Sequence, residues 1–168
     1  MENYKKDLEE RKIGKSEGLV LNDGPLKAAV FMGELLSKSK HSVKIYSSKL
    51  DSRVTKKSDF FDSFKKIIED ENIKVEILLG NKMDNPDIEN ILNANKKNNN
   101  FLLYLKDEKC AVDALGGNQH FTIVDSVAYR LENDIENFKA FGNFNDRETA
   151  QQLERLFDYL YKNCTDRQ

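Results

Sequence analysis

The order of apolar segments predicts an α/β fold: a mixed sheet of about six strands flanked by helices. Three observations carry this. Up to about residue 105, short strand-like runs alternate with amphipathic helical patterns, as in parallel strands joined by crossover helices. Two later runs are separated by only three residues, a hairpin signal that makes the remainder antiparallel. The 168 residues, 39% hydrophobic and 33% charged, suit one ordinary domain with a modest core.

The elements follow in order. Residues 1–20 form a polar leader, expected to be mobile, with a short exposed helix over Tyr4–Arg11. The domain proper is expected over 21–164. Asn22-Asp23-Gly24-Pro25 opens the first helix, with Asp as a cap and Pro in the first turn. Its buried stripe is Leu26, Ala29, Val30, Gly33 and Leu36, and SKSKH ends it. Residues 43–47 read as a strand, with Val43 and Ile45 on one face. A polar loop follows through Thr55-Lys56-Lys57. Ser58 or Asp59 caps the next helix, whose stripe is Phe60, Phe61, Phe64, Ile67 and Ile68. Val75–Leu79 is a second strand, ended by Gly80. Pro86-Asp87 opens a third helix through Ile88, Ile91 and Leu92, and Phe101–Leu105 is a third strand. Strands at 120–124 and 128–132 form the hairpin. A sixth strand lies near Phe138–Phe144, and a last helix starts at Asn145 or Asp146 with Leu153, Leu156, Phe157 and Leu160 inside.

Composition removes several function classes. Lys+Arg 27 against Asp+Glu 29 gives a net charge of −2, so a polybasic nucleic-acid binder is disfavoured. No window is apolar enough to span a bilayer, and the charged N-terminus lacks a signal-peptide core. A cytoplasmic, bacterial-type location with no membrane partner follows by default. Cys110 and Cys164 are far apart and belong to no CxxC pair, so they read as two ordinary thiols. With only His41 and His120 beside them, no metal site and no cofactor are expected. The run NANKKNNN reads as an AT-rich coding bias. Charge is uneven: nine basic and three acidic residues lie between Lys38 and Lys66, against five basic and eleven acidic from Asp107 to Asp158. The first stretch is either a solvated helix face or a basic patch for an acidic partner.

Three segments carry a family resemblance. They are a helix leading into SVKIYSSKL, the unit FFDSFKKIIEDENIKVEILLG, and GGNQHFTIVDSVAYRLE followed by FGNFND. From about Leu26 to Leu160 the chain resembles one half of a phospholipase D superfamily fold. The family signature is HxKxxxxD. Its His attacks a phosphodiester phosphorus, its Lys holds phosphate oxygens and its Asp lies behind the site. Family members commonly carry I-V-D at the Asp, which sets the register as Asn118-x-His120-x4-Asp125. The other register makes His120 the nucleophile, but it then finds Thr122 and Val127 where Lys and Asp belong.

In the preferred register the resemblance implies a degenerate signature of Asn118, His120, Asp125 and, for the downstream Asn, Asn143. An amide such as Asn118 is neither nucleophile nor base, although it can donate a hydrogen bond. A His in the Lys place is only partly charged near neutral pH. Each residue also has a structural alternative. His120 can be a polar residue starting an edge strand, Asn118 a turn residue after Gly116-Gly117, and Asp125 a cap of the hairpin turn. Asn143 and Asn145 can cap the last helix, with Glu148 three residues after Asn145 as in a capping box. Ser47 and Ser48, followed by Lys49, end a strand at the edge where open α/β sheets place ligands. They are candidate phosphate or partner contacts.

The resulting expectation is a non-catalytic phospholipase D-like interaction module in a prokaryotic system that handles nucleic acid or serves defence. The alternative is a dimeric, metal-independent phosphodiesterase or nuclease using His120. Single-signature members of the family pair their signature faces. The resemblance therefore implies a homodimer or protein partner over Gly116–His120, with nucleic acid a further possible partner.

Overall fold

The computed structural model describes residues 1–95 and 100–166. The Asn- and Lys-rich positions 96–99, within the run read as a coding bias, lie outside the described residues. Along the chain come α1 (Glu2–Glu10), β1 (Val20–Asn22), α2 (Gly24–Ser37), β2 (Ser42–Ser47), α3 (Ser52–Thr55), α4 (Ser58–Glu69), β3 (Lys74–Leu79) and α5 (Pro86–Ala94). Then follow β4 (Phe101–Tyr104), α6 (Glu108–Leu115), β5 (His120–Val124), β6 (Ala128–Asp134), β7 (Lys139–Asn143) and α7 (Arg147–Asn163).

The strands form one seven-stranded sheet in the order β1-β7-β6-β5-β2-β3-β4. β2, β3 and β4 run parallel, as crossover connections through helices require. β5 is antiparallel to β2, and β5, β6, β7 and β1 continue antiparallel. The mixed sheet therefore has the expected parallel and hairpin halves, plus one strand that the sequence reading left out.

Strand alternation divides the core into two layers. Val43, Ile45, Val75, Ile77 and Val124 face α2 and α4, where Phe31, Phe60 and Phe64 are fully buried. Tyr46, Leu78, Phe121, Ile123 and Tyr129 face α7, against Leu153, Phe157 and Leu160. Phe60 and Phe64, one helical turn apart, stack at 5.5 Å. Each such ring contributes about 1.5–3 kcal/mol through burial.

Several local expectations change. The polar leader is integrated into the fold: Leu8 of α1 is fully buried, and β1 pairs with β7 through Val20↔Gly142 and Asn22↔Ala140. Leu26, expected in the stripe of α2, is exposed, because α2 turns Ala28, Ala29, Phe31 and Leu35 inward instead. Asp23 precedes α2 without a side-chain cap and pairs with Lys27 at 2.7 Å. The last helix is capped by Asp146, whose carboxylate accepts from the Thr149 N–H. Two short helices, α3 and α6, were not anticipated.

The cysteines require the largest correction. Cys110 of α6 and Cys164 at the end of α7 are not separate thiols but a disulfide, with Cα atoms 5.8 Å apart. Sequence separation of 54 residues hid this. Two helices that meet only in the tertiary structure bring the sulfurs together.

Candidate functional site

β2 ends in a sharp turn that shapes a cavity. The Ser47 hydroxyl accepts from the Leu50 N–H at 3.1 Å, and Leu50 itself takes φ 52°. Asp51 then caps α3 by accepting from the Arg53 N–H, and its carboxylate also receives the Arg53 guanidinium at 2.7 Å. That hydrogen bond holds the Asp51 carboxyl down at about 2. Arg53 meanwhile lies over the Phe138 ring, 4.7 Å from its centroid. Between this turn, the sheet and α2 is a cavity of about 230 Å³.

The cavity floor is a polar row across the sheet. The β5–β6 register sets His120 opposite Glu132 and Thr122 opposite Arg130. Glu132 has both oxygens occupied: Oε1 lies 3.2 Å from His120 Nδ1, and Oε2 accepts from Arg130 Nη2 at 2.6 Å. Arg130 Nε donates to Asn22 Oδ1 at 2.9 Å, and Asn22 Nδ2 donates to the Phe138 carbonyl. Burial pushes the Glu132 carboxyl up. The His120 hydrogen bond and the Arg130 charge outweigh this and leave it below its ordinary value.

His120 is held at both ring nitrogens. Its Nε2 accepts the backbone N–H of Ser48 at 3.0 Å. Nε2 thus offers its lone pair to an amide, so Nδ1 carries the proton and donates it to Glu132. The imidazole ties the end of β2 to the start of β5 and to β6.

The candidates drawn from sequence separate into two groups. Ser47, Ser48, Lys49 and His120 all line this cavity. Lys49 pairs with Asp51 at 3.7 Å and Asp84 at 3.5 Å. Asn118 is exposed in the turn before β5. Asp125 and Asn143 lie at the opposite edge. Asp125, at φ 53°, accepts from the N–H groups of Lys40, His41 and Ser42 and so anchors the start of β2. Asn143 accepts from the Asn145 N–H and leads the chain into α7. Arg130, Glu132, Asn22 and Asp51 were not anticipated. Their signal was present: Arg130-x-Glu132 places two charges on one face of a strand, where an apolar face was otherwise expected.

No protein-family model matches the chain, and no curated protein does. Solved structures do match. NucT from Helicobacter pylori is 20% identical over 90% of this chain and 100% of its own, with a TM-score of 0.62. Nuc from Salmonella typhimurium, a phospholipase D family member, is 13% identical over 91% and 100%, at 0.59. The chain has a phospholipase D-like fold. The archaeal chromatin protein TrmBL2, whose structure shows a mode of DNA binding, is 14% identical over 90% of this chain, at 0.55. The chain spans about half of TrmBL2, 55% of its length. In this phospholipase D-like sheet, the cavity lies at the carboxyl end of β2 and the amino end of β5.

The basic stretch from Lys38 to Lys66 is partly neutralised by ion pairs, and Lys40, Lys56, Lys57 and Lys66 are exposed. Lys38 pairs with Glu34, Lys44 with Asp158, Arg53 with Asp51 and Lys65 with Glu69. Among the described residues, no helix is long and apolar enough to cross a membrane. No group of three or more His, Cys, Asp or Glu among them is placed to hold a metal ion.

Proposed function

We propose that the chain is a non-catalytic phospholipase D-like binding module. The observation that carries this reading is the state of His120. Phosphodiester attack needs a free imidazole lone pair and a cation for the developing phosphate charge. The His120 Nε2 lone pair is engaged by the Ser48 amide, and Nδ1 by Glu132. The cations nearby, Lys49, Arg53 and Arg130, already hold carboxylate partners. Asn118, at the signature His position, is an amide.

The competing reading, a dimeric metal-independent phosphodiesterase using His120, has the His120–Glu132 pair in its favour. Against it stand the bond from Ser48 and the absence of a lysine at the signature position, which is Thr122 in this register. A nuclease and bis-nitrophenyl phosphate assay on pure protein, with and without divalent metal, tests the choice. No turnover above background is expected. Turnover that His120→Ala abolishes would overturn the proposal.

A partner rather than a substrate then gives the module its role. A second copy or another protein over Gly116–His120 agrees with the pairing of single-signature domains. A setting in prokaryotic nucleic-acid handling or defence has only the likeness to TrmBL2 behind it. The Cys110–Cys164 disulfide favours an oxidising compartment over the cytoplasm expected from composition.

A further inference from the structure

We propose that the cavity above His120 and Arg130 is a site for a small uncharged molecule. Such a molecule would offer a carbonyl or hydroxyl oxygen to the polar floor and pack an apolar part against the walls. This deepens the non-catalytic reading and rests on it.

The argument begins with Arg130. Its side chain is 4% exposed and lines the cavity. Nε is used by Asn22 and Nη2 by Glu132. Nη1 makes no hydrogen bond among the described residues, and it remains for the cavity. Nη1 is not sealed from the cavity space, so an acceptor that enters can take a charge-assisted hydrogen bond from it. Thr122, opposite Arg130 in the strand pairing and 2% exposed, adds a hydroxyl to the same floor.

Charge decides the ligand class. Three cations (Lys49, Arg53 and Arg130) and three carboxylates (Asp51, Glu132 and Glu136) line the cavity. Glu132 neutralises Arg130, and Asp51 neutralises Arg53. A phosphate or carboxylate entering here would have to displace one of these carboxylates or leave an uncompensated anion in a poorly solvated space. A cation would meet Arg130, with both Glu132 oxygens already taken. A neutral acceptor meets neither cost. The walls suit its other end: Met32, Leu50, Val54 and Phe138 are each buried to within 6%. A void of about 150 Å³ accommodates a benzene ring, and this cavity is larger, at about 230 Å³.

Three probes that share a phenyl ring separate the possibilities: benzamide, benzoate and methyl phenyl phosphate. Amide chemical shifts of the whole chain, followed by NMR at neutral pH, report each one. Benzamide is expected to bind in the millimolar range and to shift the Ser48, Val54 and Thr122 amides. Benzoate and methyl phenyl phosphate should bind at least about tenfold more weakly, a factor worth ~1.4 kcal/mol. Val54→Phe fills the cavity from α3 and should abolish the benzamide shifts. If that variant does not fold, Thr122→Val, which keeps the shape and removes the hydroxyl, should weaken benzamide several-fold. Absent benzamide shifts, or tighter binding of either anion, would overturn the proposal. Methyl phenyl phosphate that binds more tightly than benzamide without being hydrolysed would overturn this inference alone, whereas release of phenol would overturn the non-catalytic reading with it.

Discussion

Glu132 is a carboxylate on a sheet face that is otherwise largely apolar, and it persists there because His120 and Arg130 occupy both of its oxygens. Removing it leaves the Arg130 guanidinium buried without its counter-charge. Glu132→Ala is therefore expected to cost about 3–5 kcal/mol at neutral pH, measured by denaturant unfolding. The pH dependence follows from the direction of its shift. Its carboxyl lies below the ordinary 4.5 in the folded state. Its contribution is therefore fully present above that ordinary value and is lost as pH falls through the lower, folded value. The gap in melting temperature between wild type and Glu132→Ala should stay constant from neutral pH to about pH 5.5 and shrink in more acidic buffer. A gap that widens on acidification would contradict this account. Neither Glu132 nor Arg130 stood out in the sequence, because strand alternation shows that two residues share a face and leaves open what that face meets. His120 and the Ser47-Ser48-Lys49 turn were legible, as a lone imidazole at a strand start and a polar strand end.

Helix packing supplies two further tests. α2 and α4 cross closely at Gly33, where a Cβ would collide with the Asp59 carbonyl oxygen and carbon. Because the obstacle is backbone, Gly33→Ala must push the helices apart, at a cost of about 1–3 kcal/mol or more in thermal or urea unfolding. α6 is different in kind. Of its eight residues only Ala111 is fully buried, so packing alone holds it weakly. The disulfide to Cys164 and the Lys106 N–H bond to the Cys164 carbonyl fasten this region to α7. Reduction, or Cys110→Ser, should therefore cost about 2–4 kcal/mol. Hydrogen exchange should rise first in α6, before the β2–β5 ladder. Uniform exchange across the sheet would show that the bond stabilises the whole domain instead. These short helices also mark where sequence reading fails. α6 has too few apolar positions to establish a period, and β1 has three residues, of which Leu21 is exposed. The long periodic elements α4 and α7 and the 120–124 strand were legible because many inward residues repeat the same spacing.

Part of the charge is held in ion pairs, and this bears on assembly. With Lys38, Lys44, Lys49, Arg53 and Lys65 all matched to carboxylates, the exposed Lys40, Lys56, Lys57 and Lys66 are what this stretch offers a polyanion, on a chain of net charge −2. Duplex DNA binding at physiological salt should be weak, and its affinity should fall only shallowly with salt in a titration; tight, steeply salt-dependent binding would show a basic surface formed on assembly. Light scattering is expected to give about twice the 19.4 kDa chain mass, with Asn118→Trp shifting the mass towards the monomer. A monomer at every concentration would remove the homodimer. By itself the sequence settled the class of the fold, since hydrophobic period and segment order report which residues turn inward, whatever they meet. The family resemblance also pointed to Asn118 and His120 as candidates at the start of β5. Only the tertiary structure decided that His120 is bound at both nitrogens, that Asp125 and Asn143 stand at the opposite edge, and that Cys110 meets Cys164. The physical reason is common to all three. Hydrogen bonds, ion pairs and disulfides form between atoms a few ångströms apart, and partners 12 to 85 positions apart, as for His120, Asp125 and Cys110, reach that distance only once the sheet and helices are packed.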